Sequence, residues 1–253
     1  MPRCCLGLGG NIGDVPAVFR DALQQLRDAG AVPTQVSSLY LTAPVGPLDG
    51  SPYHNACAIV RTNLSPEELL RACQRIEDAA GRVRGVRWGS RPVDIDILSY
   101  DDRVLSEPHL TLPHPGIAYR RFVLDPLAEL MPQWRHPVIG RTATDLQQRL
   151  RRRPLPILLA GGDKQLRSLI AAQLRDRFPT AVQAEIAFTP DFSDPTILFV
   201  DDVTPAASGL VEDAGGICVR LDAQLAEQDP LAATVAVVTA MLDEPQVVGE
   251  IEA

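Results

Sequence analysis

At 253 residues, with 45% hydrophobic and 22% charged side chains, no apolar run of membrane-spanning length and no signal-peptide pattern at its start, the chain reads as a cytoplasmic globular protein of one large or two modest domains. Its net charge of −8 is unevenly divided: residues 1–153 hold 19 Lys and Arg against 16 Asp and Glu, a balance of +3, and residues 154–253 hold 5 against 16, a balance of −11. Anion-binding chemistry is therefore expected in the first part, while the acidic second part is not expected to bind nucleic acid, and no membrane partner is expected.

Residues 3–8 read as a short apolar strand that runs into the turn-rich Gly9-Gly10-Asn11-Ile12-Gly13-Asp14, followed by a helix over 15–29 with apolar residues at helical spacing. Strands follow at 35–41 and 54–61. Ser65-Pro66-Glu67-Glu68 has the form of a helix start, with Ser65 as N-cap, Pro66 in the first turn and Glu68 placed to close a capping box. That helix runs to residue 80 and presents Leu70, Cys73, Gln74 and Glu77 on neighbouring faces. A further strand covers 93–100. The simplest assembly is α+β, a ferredoxin-like βαββαβ domain over residues 1–150 with helices on one face of the sheet.

Arg149, Arg151, Arg152 and Arg153 close a helix ahead of Pro154 and Pro156, which marks a linker over 151–156. Residues 157–253 then alternate as a smaller α/β domain: a strand at 157–162, a helix at 163–178, strands at 181–187, 196–200 and 216–221, a helix at 230–242, and an acidic tail from 243 expected to fray. The cysteines (Cys4, Cys5, Cys57, Cys73, Cys218) are odd in number and form no CxxC spacing, so they read as reduced thiols rather than disulfides or metal ligands.

The chemistry concentrates between Gly81 and Ile97. Asp94 and Asp96 are spaced i, i+2, so on a strand they project from one face and can hold a common cation, while Val93, Ile95 and Ile97 point into a core. Carboxylate oxygens suit Mg²⁺, which keeps waters and takes further ligands from substrate phosphates. Arg82, Arg84, Arg87 and Arg91, with Trp88 among them, supply planar forks matched to phosphate oxygens. An Asp-x-Asp alone is an ordinary wet strand face. With four arginines against it, the pattern points to phosphoryl-type transfer from a nucleotide.

Gly9-Gly10-Asn11, Thr42-Ala43-Pro44-Val45-Gly46-Pro47, Tyr53-His54-Asn55, Arg75-Ile76-Glu77, Gly81-Arg82-Val83-Arg84, Arg87-Trp88-Gly89-Ser90-Arg91-Pro92-Val93-Asp94-Ile95-Asp96 and Leu112-Pro113-His114-Pro115 occur in this order and at a spacing that resembles the 6-hydroxymethyl-7,8-dihydropterin pyrophosphokinase family of folate biosynthesis. The resemblance covers roughly residues 4–150. It implies transfer of pyrophosphate from MgATP to the pterin's hydroxymethyl oxygen, giving the pterin diphosphate and AMP. It further implies two Mg²⁺ on Asp94 and Asp96, with Arg82, Arg84 and Arg91 as catalytic arginines, Arg84 arriving on a mobile loop. On the pterin side it implies Thr42, Val45, Tyr53, Asn55, Trp88, Phe122 and Asp94. On the ATP side it implies Leu70, Gln74, Glu77, Arg84, Arg91, Ile97, Thr111, His114 and Arg120, with Glu77 equally suited to a structural role. The sequence departs from the family pattern at Gly10, Ala43 and Pro115, none of which touches the aspartates or arginines.

The resemblance stops before residue 154. Gly161-Gly162-Asp163-Lys164 after a strand suggests a degenerate phosphate-binding loop, but the Gly-Lys-Ser/Thr element is missing. A degenerate nucleoside-kinase-like or other α/β accessory domain for assembly or regulation is expected there, with a protein partner through it. Two other readings of the whole compete with this one: a metal-dependent phosphatase or nuclease, which would need neither Tyr53-His54-Asn55 nor Trp88, and a protein that docks a partner, such as another folate enzyme, with a vestigial site, which the intact aspartates and arginines oppose.

Overall fold

The computed structural model describes residues 1–43, 51–81, 90–161, 163–186, 194–199, 216–220 and 229–251. They divide into two units, Met1–Gln147 with Asp243–Ala253, and Gln148–Leu242.

The first unit is organised around β1 (Arg3–Gly10), an inner strand of an antiparallel sheet. It pairs on one side with β4 (Tyr53–Thr62) and on the other with β5 (Asp94–Tyr100). Outside β4 lies β3 (Leu39–Thr42), and β2 (Ala31–Val36) pairs with β4 further along. Leu6, Leu8, Ala56, Ala58, Ile95 and Ile97 face α1 (Val15–Asp28) and α2 (Pro66–Ala79), where Phe19, Leu23, Leu69 and Ile76 close the core. Each such large side chain contributes about 1.5–3 kcal/mol on burial. Ser65 caps α2 as expected: its Oγ accepts the Glu68 amide at 3.3 Å while its own amide donates to Glu68 Oε2 at 2.7 Å.

A hairpin of β6 (Leu105–Glu107) and β7 (Leu110–Leu112) leads to a 3-10 turn at Pro115–Ala118 and to α3 (Arg121–Leu130). The helices are not confined to one face. The Val123 carbonyl of α3 accepts from Cys57 Sγ, which lies on the face of β4 opposite Ala56 and Ala58, so α3 covers part of the second face. Two further departures concern boundaries. The division between units falls within α4 (Ala143–Leu150), between Gln147 and Gln148, and the expected linker ends early because Leu155 and Pro156 already belong to β8 (Leu155–Ala160). Nor is the acidic tail frayed: β12 (Gln246–Gly249) pairs antiparallel with β3, so backbone pairing outweighs the unfavourable composition.

The second unit is a parallel sheet ordered β11 (Ile217–Arg220), β10 (Thr196–Phe199), β8, β9 (Val182–Glu185), with α5 (Lys164–Arg177) and α6 (Pro230–Leu242). Counted from its own first strand this is the 2-1-3-4 order of doubly wound flavodoxin-type sheets. Asp163 caps α5, its Oδ1 accepting the amides of Gln165 at 2.6 Å and Leu166 at 2.9 Å. Those amides are the donors that a phosphate at this helix start would need, so the carboxylate has already taken that place.

Candidate functional site

The sheet register builds a trough across its second face. Gly9 of β1 lies opposite Asn55 of β4 and Asp94 of β5, and Gly7 opposite Cys57 and Asp96. Directly opposed residues share a face, and the two glycines contribute no side chain, so the centre of the Gly9 row is open, while Leu98 packs against Gly7. One bank carries an amide and a thiol and the other two carboxylates, two strand spacings or roughly 10 Å apart. A Cβ on Gly9 would stand 3.5 Å from Asn55 Oδ1 and 4.0 Å from Asp94 Cβ, and one on Gly7 3.4 Å from Leu98. The sequence reading placed Gly9 and Gly10 in a turn. Both belong to β1 instead, Gly9 paired with Asn55 and Asp94 on its two sides and Gly10 with His54 on one.

Thr42, Ala43, Tyr53, Arg91, His114, Arg120, Phe122 and Val123 wall the same cavity. On the amide bank, Asn55 is 7% exposed and its Nδ2 donates to Thr42 Oγ1 at 2.9 Å, which fixes the amide with its Oδ1 toward the trough. On the carboxylate bank, Arg91 Nη2 meets Asp94 Oδ2 at 2.9 Å, and the guanidinium lies 5.9 Å from the Tyr53 ring centroid. The Arg120 guanidinium lies 5.8 Å from the Phe122 ring centroid. His114 Nδ1 accepts the Gly116 amide at 3.0 Å, which leaves the proton of the neutral ring on Nε2. Burial lowers the His114 pKa, Arg120 adds to this, and Asp96 and Asp94 oppose it. Burial drives the Cys57 thiol up, with Cys5 and Glu129 adding to it, so the sulfur in the floor stays protonated and unreactive.

Not every expected residue reaches this cavity. Ile97 is 4% exposed and packs in the core against the helices, as its position one residue from Asp96 requires. Leu70 and Gln74 lie on α2 and Thr111 on β7, away from the cavity wall. Glu77 is buried, and its Oε1 accepts the Ile95 amide at 2.8 Å, tying α2 to the strand that bears the aspartates. Val45, Arg82, Arg84, Arg87 and Trp88 fall outside the described residues.

Sequence reasoning passed over Asn11, which joins the parts. Its Oδ1 accepts the Arg91 amide at 2.9 Å, its own amide donates to the Arg91 carbonyl at 3.0 Å, and its Nδ2 donates to Ser90 Oγ at 3.2 Å and the Ser51 carbonyl at 3.4 Å. Gly7, Cys57, Leu98 and Val123 were also missed. A glycine at alternate positions of an apolar strand is the one local signal that marks such a floor.

Among the described residues no group of three or more His, Cys, Asp and Glu side chains gathers to hold a metal, so the donor set is the carboxylate pair itself. That set fits Mg²⁺, which binds through one or two carboxylates with waters and phosphates completing its shell, and does not fit a closed zinc site. Among those residues, too, no helix is long and apolar enough to cross a membrane.

Residues 5–132 match the profile of the 7,8-dihydro-6-hydroxymethylpterin-pyrophosphokinase (HPPK) family. The 2-amino-4-hydroxy-6-hydroxymethyldihydropteridine pyrophosphokinase of a Synechocystis strain is 43% identical over 142 residues, covering 56% of this chain and 72% of the relative. The mitochondrial folate synthesis bifunctional protein of Pisum sativum is 41% identical over 126 residues, 50% of this chain and 24% of that protein. A solved structure of a Plasmodium falciparum HPPK-DHPS triple mutant with pteroate aligns at 14% identity and a TM-score of 0.49, over 83% of this chain and 53% of its own length.

Proposed function

This chain belongs to the 7,8-dihydro-6-hydroxymethylpterin pyrophosphokinase family and transfers pyrophosphate from ATP to hydroxymethyldihydropterin in folate biosynthesis, and from that premise we propose how its residues divide the work. The observation that carries the division is the row Asn55–Gly9–Asp94, an amide and a carboxylate facing each other across an empty strand position. A flat pterin ring enters from the amide bank. Asn55 offers its Oδ1 as acceptor to the ring edge, its Nδ2 being engaged by Thr42 Oγ1 and the Tyr53 carbonyl, and Thr42 and Val45 contribute further pterin contacts. Tyr53, Phe122 and Trp88 supply stacking surface. Asp94 faces the hydroxymethyl group.

ATP lies toward the carboxylate bank. Asp94 and Asp96 hold Mg²⁺, two ions in this reading, whose chemistry when bound is to neutralise the triphosphate and hold it for in-line attack. The hydroxymethyl oxygen bonds to the β-phosphorus and releases its proton to solvent, the bond from the β-phosphorus to the α–β bridging oxygen breaks, and AMP leaves with that oxygen. Arg91 exchanges part of its pairing with Asp94 for phosphate oxygens as ATP arrives. His114, neutral and protonated on Nε2, donates to a phosphate, and Arg120 adds positive charge. Arg82 and Arg84 complete the phosphate grip, and Trp88 shields the reacting atoms from water. Leu70, Gln74, Thr111 and the Ile97 backbone contact the nucleoside. Glu77 positions β5 rather than touching substrate.

The fold reading that accompanies this is a ferredoxin-like first domain, supported by the β5-β1-β4-β3 order. The second unit is an acidic α/β accessory domain that offers a protein-docking surface, and the enzyme works in the cytoplasm. The test is AMP release from MgATP with and without 6-hydroxymethyl-7,8-dihydropterin, for wild type and Asp96→Ala. Pterin-dependent AMP, abolished in the variant, is the expected result. Equal AMP release by the variant would overturn the metal assignment.

A further inference from the structure

We infer that Glu129 of α3 is a positioning residue for the pterin side of the cavity, tying β3 to α3 so that Thr42 and Asn55 stand at a fixed distance from Phe122. Its carboxylate accepts three hydrogen bonds from the start of β3. Oε1 accepts from the Ser38 amide at 2.9 Å and the Ser38 hydroxyl at 3.1 Å, and Oε2 accepts from the Tyr40 hydroxyl at 2.7 Å. The Ser38 amide is available because the chain bulges there. From Val36 to Tyr40 it advances four residues, while their partners on β4, Ala58 and Asn55, lie only three apart. Ser37 still belongs to the ladder: its amide donates to the Cys57 carbonyl at 2.9 Å, and its hydroxyl accepts the Cys57 amide at 2.9 Å. The extra residue therefore falls just after Ser37, and the carboxylate satisfies a backbone donor that β4 does not.

The tie reaches the cavity along both elements. Tyr40 lies directly opposite Asn55, so their side chains share the trough face, and Thr42, two residues on, shares it too. Thr42 Oγ1 in turn holds Asn55 Nδ2 at 2.9 Å. On the helix, Phe122 precedes Glu129 by seven positions, so the two project from one side of α3, about 10 Å apart along it. From the shared anchor β3 runs toward Thr42 and α3 runs back toward Phe122, and both of these residues wall the cavity. A second contact between α3 and the sheet, Cys57 Sγ donating to the Val123 carbonyl at 3.8 Å, uses a weak thiol donor, which leaves the carboxylate as the stronger tie. Burial raises the pKa of the Tyr40 phenol and the bond to Glu129 adds to it, so the hydroxyl stays a donor.

The consequence for catalysis rests on the proposed placement of the pterin against Thr42, Asn55 and Phe122. The experiment uses the full chain with Glu129→Ala, Glu129→Gln, Tyr40→Phe and Asn55→Ala, measuring kcat, the KM of each substrate, thermal unfolding, and hydrogen exchange at the Ser38 amide. Glu129→Ala is expected to raise the pterin KM about tenfold, the scale of one hydrogen bond to a charged group, with the ATP KM unchanged and faster exchange at Ser38. Glu129→Gln is expected to restore most of both, because its carbonyl oxygen can accept from Ser38 while its amide donates to the Tyr40 oxygen. Tyr40→Phe, which removes one of the three bonds and keeps the ring, is expected to shift the pterin KM less and in the same direction. Wild-type exchange at Ser38 in Glu129→Ala would overturn the tie. A Glu129→Ala enzyme whose two KM values rise together as its unfolding temperature falls, with no rescue by Glu129→Gln, would overturn the positioning role, since that is general destabilisation. Asn55→Ala separates this inference from the reading beneath it. If it raises the pterin KM and Glu129→Ala does not, the role of Glu129 falls and the pterin placement stands; if it leaves the pterin KM at the wild-type value, the placement itself is overturned.

Discussion

Gly9 and Gly10 are adjacent on β1 yet answer to different demands, and alanine at each separates the cavity floor from the fold. A Cβ on Gly9 would meet nothing nearer than 3.5 Å, at Asn55 Oδ1, and the site has no left-handed backbone to forbid a side chain. Gly9→Ala should therefore fold normally, helped slightly by the reduced freedom of its unfolded chain, with an unfolding temperature within about 2 °C of wild type. The new methyl nevertheless occupies the one empty position between Asn55 and Asp94. Lifting a flat ligand by even 0.5–1 Å forfeits roughly a quarter to a half of each affected contact and lengthens its hydrogen bonds to Asn55, so the pterin KM should rise about tenfold or more. At Gly10 the added Cβ would sit 2.4 Å from the Pro92 carbonyl oxygen and 3.2 Å from its carbon. Those are backbone atoms in the segment clamped by Asn11 and cannot swing aside. Forcing them apart costs about 1–3 kcal/mol, a fall of roughly 2–4 °C in unfolding temperature per kcal/mol for a chain of this size. Circular-dichroism melts and AMP-release kinetics with each substrate varied read both effects. A Gly10→Ala protein that melts with wild type, or a Gly9→Ala enzyme with wild-type pterin KM, would refute the account of the trough.

Glu77→Ala should leave the buried Ile95 amide without its acceptor, costing about 1–3 kcal/mol in a denaturant titration and lowering kcat through displacement of Asp94 and Asp96, whereas Glu77→Gln retains an acceptor and most of both. A kcat insensitive to Glu77→Ala would break the link between α2 and the metal strand. His136 Nδ1 accepts the amides of Val138 at 3.3 Å and Ile139 at 3.2 Å, and burial lowers its pKa from 6.5 to about 4. With the folded pKa below the unfolded one, the unfolded chain binds more protons between them, so this contribution is complete above pH 6.5 and is lost as pH falls toward 4. Asp243 acts in the opposite sense over a similar window, its raised pKa favouring the folded chain on the acid side. His136→Gln should accordingly lose less stability than wild type between about pH 7 and about pH 4.5, measured as urea midpoints. An equal loss in both proteins would place the acid sensitivity elsewhere.

What the sequence made legible was whatever depended on local period or local capping. Asp94 and Asp96 lie on one face, and Ile95 and Ile97 on the other, because a strand alternates, and no tertiary context can change that. The same rule explains why Ile97 packs in the core although family resemblance placed it near the nucleotide. Ser65 and Glu68 close their capping box within four residues. What escaped was set by partners far along the chain. Gly9 and Gly10 carry the signature of a turn, and only pairing with β4, joined at Gly9 by pairing with β5, makes them strand. The acidic residues after 243 carry the signature of a loose end, and only an edge strand some two hundred positions earlier makes β12 of them.

The missed features share a place as well as a cause. Gly7 and Gly9 form the floor, Asn11 ties the Arg91 backbone to Ser51 and Ser90, and β12 pairs with β3. None of these residues brings unusual chemistry. Each sets a distance between groups that do, the amide bank on one side and the carboxylates on the other. Transfer between two bound substrates depends on such distances, since the oxygen and the β-phosphorus must be held close and in line before charge neutralisation can help. The chemistry of this enzyme is thus written in short motifs, whereas its geometry is written in pairings that only the folded sheet brings together.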